Sequence, residues 1–231
     1  RMARMSPQFM AVDICMPADN VLIRGRSEVG PVTMPMSHES LALVEARLAG
    51  VEPVHDISFI GALYPYRVEL IENLRAVGLD VAVNPHRNDL TSDFVSSRTD
   101  QPGWLDYMAG LAGSKLTINF SRSSAGSWEQ LKTRVIEATL AGTLLLTDDK
   151  NRTRLFFKPE IEYGYFRDPH HLVQVAEQWL SSEDQRGSGA RSAQVKAQSI
   201  IANDFWQRID QGLARRGLNR LGLLSGEASE S

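Results

Sequence analysis

Residues Ser114 to Asp149 read SKLTINFSRSSAGSWEQLKTRVIEATLAGTLLLTDD, and this stretch decides the fold. Lys115 to Phe120 predicts a buried strand, and a loop rich in Ser and Gly follows it. A helix is predicted from near Trp128 to Ala141, where Gly142 closes it. The short apolar run from Leu144 to Thr147 predicts a second strand. This strand, loop, helix and strand form a βαβ unit, which favours a parallel sheet.

Two acidic residues of the predicted helix, Glu129 and Glu137, indicate a ligand site. They are eight residues apart, a little over two helical turns, so both lie roughly on one face. The carboxylate of Glu137 can accept two hydrogen bonds from a vicinal diol such as a ribose. The unpaired N–H groups at the start of the helix, near Ser127, favour an anion. Lys132 and Arg134 lie between the two acids, and the alternative is a solvated helix face with local Glu–Lys pairing.

An earlier strand is followed by a glycine and then by a helix. Asp56 to Ala62 predicts the strand, which ends at Gly61, and the helix follows from about Arg67 to Val77. Such a first βα turn places ligands at the carboxyl ends of the strands. Gly61 allows the backbone to approach a phosphate, and Tyr64 and Arg67 are placed to line the site. The alternative is a tight turn and a solvated helix start.

Four segments together resemble the C-terminal domain of GT-B glycosyltransferases, most closely the spore-maturation (CgeB-like) group-1 type. The resemblance covers roughly Asp56 to Leu213 and implies an α/β fold, a Rossmann-like parallel sheet flanked by helices. It implies that Glu137 binds the ribose of a sugar nucleotide and that Glu129 approaches the transferred sugar as a catalytic residue. The segments are DISFIGALYPYR at Asp56–Arg67, SKLTINFSR at Ser114–Arg122, LKTRVIEATLAGTLLLTDD at Leu131–Asp149 and LFFKPEIEYGYFRDPHHL at Leu155–Leu172.

The activity implied by this resemblance is transfer of a sugar from a nucleotide-sugar donor to an unknown acceptor. Gly61 and the helix start near Ser127 would receive the diphosphate. Neutralising the charge of the departing nucleotide is the main catalytic need, and Lys132, Arg134 and Arg67 are the available cations. No Asp-x-Asp motif occurs, so we expect neither a metal nor another cofactor. The group-1 relatives imply retention of configuration, whereas exostosin-like enzymes, which share part of the pattern, imply inversion.

The composition excludes several classes of protein. The chain has 231 residues, of which 42% are hydrophobic, so it can bury a proper core. A net charge of −3 argues against a nucleic-acid-binding protein. The single cysteine, Cys15, excludes an intrachain disulfide and fits the reducing cytoplasm, which is the expected location. No apolar run approaches the ~20 residues that a transmembrane helix needs, and we expect no signal peptide.

Three regions are predicted along the chain. Residues 1–55 form a short N-terminal extension or the remnant of an acceptor domain, 56–215 the nucleotide-sugar-binding domain, and 216–231 a mobile tail. A missing acceptor domain would leave a surface for a partner domain or for a homo-oligomer. Other predictions are helices at Ser37–Leu48, Trp104–Ala112, Ala190–Asn203 and Asp204–Arg215, strands at Phe9–Met16, Asp80–Asn84 and Glu162–Phe166, an N-cap at Asp168, a polar break at Ser181–Gly189, and burial of Trp206, Ile209 and Leu213.

Two other classes of function remain open at this stage. The chain could be a non-catalytic scaffold module, a GT-B half that holds a nucleotide or a partner protein without turnover. It could also be an unrelated Rossmann-like domain, such as a flavodoxin-like or receiver-like protein. An unrelated domain of this kind does not explain why Arg134 and Glu137 and the residues around them are present.

Overall fold

A parallel sheet lies at the centre of the protein. The computed structural model describes residues 12, 29, 32–33, 35–84, 103–122, 129–150, 152–201 and 205–215. Within these residues five strands pair in the order β2-β1-β3-β4-β5, and every neighbouring pair is parallel. The strands are β1 (His55–Phe59), β2 (Val81–Val83), β3 (Ser114–Asn119), β4 (Leu144–Thr147) and β5 (Tyr163–Tyr165).

Helices cover both faces of this sheet, as an all-parallel sheet requires. One core cluster packs α1, α3, α4 and α6 against the sheet, and a second packs α2 and α5 against the opposite face. The predicted α/β Rossmann-like architecture is therefore confirmed. The helices are α1 (His38–Leu48), α2 (Pro65–Ala76), α3 (Trp104–Ala112), α4 (Arg134–Leu140), α5 (Pro169–Ser181), α6 (Glu183–Ser199) and α7 (Phe205–Arg215), and a 3-10 turn spans Thr153–Leu155.

The capping signals of the sequence are confirmed. The Ser37 side chain accepts a hydrogen bond from the Ser40 N–H at 3.1 Å, and Asp168 accepts one from the His171 N–H at 2.8 Å. Gly78 and Gly142 follow α2 and α4 with φ of 89° and 74°, the left-handed conformation that glycine adopts without strain. These local rules place the ends of four helices correctly.

Two predicted helix starts are wrong. The central helix begins at Arg134, not near Trp128, because the chain at Glu129 forms an antiparallel bridge with Arg122 and the Gln130 N–H donates to the Ser121 carbonyl. Those backbone groups are thus engaged with the end of β3. The predicted polar break at residues 181–189 is mostly the first part of α6, for which Ser182 is the N-cap.

A glycine in α6 explains the second error. A Cβ on Gly189 would lie 2.4 Å from the Ile161 carbonyl oxygen and 3.2 Å from a Leu144 methyl. The residue is therefore small because the helix passes close to the neighbouring loop and strand, and not because the helix is interrupted. Sequence alone does not separate these two reasons for a glycine.

The N-terminal extension contacts the last helix. Val12 and Val29 form an isolated parallel bridge, and Val29 and Val32 pack with Ile209 of α7. Ile209 is buried as predicted, but Trp206 is 39% exposed, so its predicted burial is wrong. The predicted strand at Phe9–Met16, apart from Val12, and the predicted tail at 216–231 lie outside the described residues. None of the described helices combines the length and the apolar character that crossing a membrane requires.

Candidate anion site at the switch point of the sheet

A cavity of about 470 Å³ opens beside the carboxyl ends of β1 and β3. The chain winds from β1 to β2 in one direction and from β3 to β5 in the other, so this is the topological switch point where open α/β sheets bind ligands. We call it the switch-point cavity. Its walls include five side chains that the sequence singled out, together with Tyr107 of α3: Tyr64, Arg67, Lys132, Arg134 and Glu137.

Arg67 forms the deepest cationic part of the cavity. It is only 6% exposed, and its guanidinium donates to the carbonyls of Ala62 at 2.9 Å and Arg122 at 3.0 Å. Its Nε donates to the Tyr66 hydroxyl at 2.8 Å, and its Cζ lies 4.6 Å from the centre of the Tyr64 ring. Aromatic faces and carbonyls stabilise this cation. None of the described carboxylates forms an ion pair with it.

Arg134 occupies the space above the turn at Gly61. Its Nη2 donates to the Ile60 carbonyl, and its buried Nε has no hydrogen-bond partner among the described residues. Gly61 has φ of 152°, and a Cβ there would lie 2.7 Å from Arg134 Nη2. The Gly61 N–H donates to Asn84 Oδ1 at 2.7 Å. Gly61 thus makes room for Arg134, and its N–H bonds Asn84 in this structure, so its contact with a phosphate stays a prediction.

Lys132 lies close to these two arginines. Partial burial lowers the pKa of its ammonium group, and the charges of Arg67 and Arg134 lower that pKa further. Its side chain makes no hydrogen bond or ion pair within the described part of the chain. Three cations therefore line one cavity, and a buried N–H donor of Arg134 is unsatisfied. This arrangement is typical of a site that takes an anion.

Glu137 is the acid of the cavity wall, and Tyr107 holds it. The Tyr107 hydroxyl donates to Glu137 Oε2 at 2.9 Å. Burial raises the pKa of this hydroxyl well above its usual value; the charge of Arg134 lowers that pKa in part and the neighbouring Glu137 raises it, so the phenol stays protonated. The sequence reading missed Tyr107. The sequence offers one indication of it: a tyrosine, which has an apolar ring and a polar hydroxyl, lies in the helix that precedes β3.

Two residues of the predicted site are not part of the cavity wall. Glu129 precedes α4, so it does not share a helix face with Glu137, and its carboxylate lies 3.7 Å from Lys150 Nζ. Ser127 lies outside the described residues. No group of three or more His, Cys, Asp or Glu in the described ranges is arranged to hold a metal ion.

The fold and the cavity define an α/β protein with a candidate anion site at the switch point of a parallel sheet. A family model described as glycosyl transferase-like matches residues 67–212, well over half of the chain. The chain belongs to this glycosyl transferase-like family. The match includes α4 and the cavity residues Arg67, Lys132, Arg134 and Glu137.

Two solved structures align with this chain, and the first of them supports the fold with a TM-score above 0.5. Sucrose-phosphate synthase from Thermosynechococcus elongatus superposes with a TM-score of 0.55 at 14% identity over 90% of this chain. AviGT4, a glycosyltransferase involved in avilamycin A biosynthesis, gives a TM-score of 0.47 at 16% identity over 83% of this chain. The aligned regions are 57% and 61% of those two chains, so this chain corresponds to little more than half of either protein. No curated protein sequence matches it significantly.

Proposed function

We propose that the described domain binds a nucleotide-sugar and is the donor-binding part of a glycosyltransferase, of the GT-B group-1, CgeB-like type. The observation that carries the proposal is the cluster of Arg67, Lys132 and Arg134 around one open cavity. Burial lowers the Lys132 pKa and the repulsion of two arginines lowers it further; a diphosphate in the cavity would relieve that repulsion, so the cluster favours an anionic ligand.

The carboxylate of Glu137 supports a nucleotide rather than a simple phosphate. It faces the same cavity as the cations, and Tyr107 contacts only its Oε2 atom. Each carboxylate oxygen accepts two hydrogen bonds, so Oε1 and part of Oε2 remain available to the hydroxyls of a ribose. A site with cations for a diphosphate and a carboxylate for a diol fits a nucleoside diphosphate.

The cations would also serve the reaction. When the bond between the sugar carbon and the diphosphate oxygen breaks, the electron pair leaves with the nucleotide, and Arg67, Lys132 and Arg134 stabilise the charge that develops. We therefore propose metal-independent transfer, and retention of configuration follows from the group-1 resemblance. Glu129 is left out of the proposed site, because its carboxylate lies beside Lys150 and does not line the cavity. The role of Ser127 and a cytoplasmic location stay predictions.

Isothermal titration with UDP, GDP and the corresponding sugar nucleotides tests the proposal. One nucleotide should bind, and Glu137→Ala should weaken its binding about fivefold to 150-fold, the cost of about 1–3 kcal/mol for a charged hydrogen-bonding group. Glu177→Ala is the matched control, because Glu177 is an exposed helical glutamate on α5. Absence of binding by all nucleotides would refute the proposed function. Binding without cleavage of the sugar nucleotide would favour the scaffold module.

A further inference from the structure

We propose that Tyr107 is a positioning residue that aims the Glu137 carboxylate at the ribose diol, so that discrimination between ribose and deoxyribose depends on α3 as well as on α4. This inference rests on the proposed function and deepens it. Its observation is the hydrogen bond from the Tyr107 hydroxyl to Glu137 Oε2, which joins residues 30 positions apart in sequence.

Tyr107 is the side chain that fixes Glu137 within the described residues. No other described group donates a hydrogen bond to the Glu137 carboxylate, and no described cation lies within ion-pair distance of it. A glutamate has several rotatable bonds, so without a partner this carboxylate would sample several positions in a cavity lined by cations. The phenol confines it to one of them.

The phenol itself is held rigidly and can act only as a donor toward Glu137. Tyr107 packs against the core cluster of α3, in which Met108 and Leu111 are fully buried. The hydroxyl is protonated, and a phenol has a single hydrogen to donate. Tyr107 therefore takes one acceptor position of Oε2 and leaves Oε1 without a donor among the described residues, available to a ligand. A preorganised carboxylate loses less entropy when it binds a diol.

The surroundings of Tyr107 and Glu137 indicate that different residues bind the diol and the diphosphate of the ligand. Arg134 is the other ionic group that interacts with the Tyr107 hydroxyl, and its Nη2 is engaged with the Ile60 carbonyl. Because Tyr107 satisfies one oxygen of Glu137, the cations need not pair with this acid and remain available to the diphosphate. Loss of the phenol should thus affect recognition of the diol more than recognition of the diphosphate, because the Nη2 of Arg134 keeps its bond to the Ile60 carbonyl.

The test compares Tyr107→Phe with wild type in titrations with UDP, 2′-deoxy-UDP, 3′-deoxy-UDP and inorganic pyrophosphate. Wild type should prefer UDP over at least one deoxy analogue by about tenfold or more, the usual effect of a hydrogen bond to a charged group. In Tyr107→Phe this ratio should fall to about twofold or less, and pyrophosphate affinity should change less than UDP affinity does. In a Glu137→Ala background, which removes the acceptor of the Tyr107 hydrogen bond, the same substitution should have no further effect, since the two residues act as one unit.

Tyr165→Phe is the matched control, since it removes a phenol hydroxyl from a partly buried tyrosine of β5 that does not line the cavity. Thermal melts check that both variants fold. An unchanged UDP to deoxy-UDP ratio in folded Tyr107→Phe overturns the inference and leaves the proposed function intact. An equal loss for pyrophosphate and UDP also overturns it, because Tyr107 would then be merely structural. Wild type that binds no nucleotide overturns both proposals.

Discussion

The contact between Gly61 and Arg134 predicts that one added methyl group disturbs both stability and anion binding. Gly61→Ala places a Cβ 2.7 Å from Arg134 Nη2 and 3.5 Å from the Phe59 ring, at a φ of 152°. The guanidinium must move, and it then loses its hydrogen bond to the Ile60 carbonyl. We expect weaker binding of inorganic pyrophosphate, because Arg134 is one of the three cations of the cavity.

A second glycine separates this contact from the backbone effect. Gly50 has φ of 77°, and a Cβ there would meet nothing within 4 Å. Gly50→Ala should therefore cost only the backbone strain, about 1–2 kcal/mol. Gly61→Ala carries at least this strain, because an L residue adopts a φ of 152° less readily than one of 77°, and it adds the lost charged hydrogen bond. Its free energy of unfolding should therefore be lower by at least roughly a further 1–2 kcal/mol. The gain from a less flexible unfolded chain is the same for both and cancels.

Urea denaturation and titration with pyrophosphate measure the two effects on the same samples. The urea concentration at the midpoint of unfolding should fall further for Gly61→Ala than for Gly50→Ala. The slope of the free energy of unfolding against urea concentration should be the same for both variants. Pyrophosphate affinity should fall for Gly61→Ala alone. If both variants bind pyrophosphate as wild type does, Arg134 is not part of the anion site, and the reasoning about the turn fails.

Two further predictions concern a cation of the cavity and the packing of α6. Between the lowered pKa of Lys132 and its ordinary value of 10.5, the unfolded chain binds more protons than the native state, so stability rises with pH. Bound pyrophosphate should raise the Lys132 pKa, so pyrophosphate binding should be accompanied by proton uptake. Calorimetric titrations in buffers of different ionisation enthalpy measure this uptake, and Lys132→Met should abolish it. Gly189→Ala should destabilise the fold by about 1–3 kcal/mol, because the new methyl meets the Ile161 carbonyl at 2.4 Å. A normal urea midpoint in this variant would contradict the packing described for α6.

Features that depend on local sequence were predicted well. The strand Leu144–Thr147 and the helix Trp104–Ala112 have the predicted bounds, because an apolar run between turn residues and an amphipathic period are local signals. The caps at Ser37 and Asp168 depend on residues only three positions apart. Tyr64, Arg67, Lys132, Arg134 and Glu137 share one cavity because they follow strands whose carboxyl ends meet at the same edge.

Features that depend on distant contacts were missed. The start of α4 is decided by the pairing of Glu129 and Gln130 with the end of β3, and α6 continues through Gly189 because a neighbouring loop approaches it. Tyr107 gives no local signal of its contact with Glu137, which is 30 positions away. No pattern in the sequence shows that a glycine accommodates a buried arginine, as Gly61 does.

The three cations of the cavity differ in how much a substitution at each position would disturb the fold. Arg67 bonds two carbonyls and a phenol, and Arg134 closes the turn after β1, so replacing either removes a structural tie together with a charge. Lys132 carries a charge, but its side chain makes no hydrogen bond to any described residue. A library intended to change the anion that the cavity binds should therefore keep both arginines constant and vary position 132, where a substitution removes no hydrogen bond of the described structure.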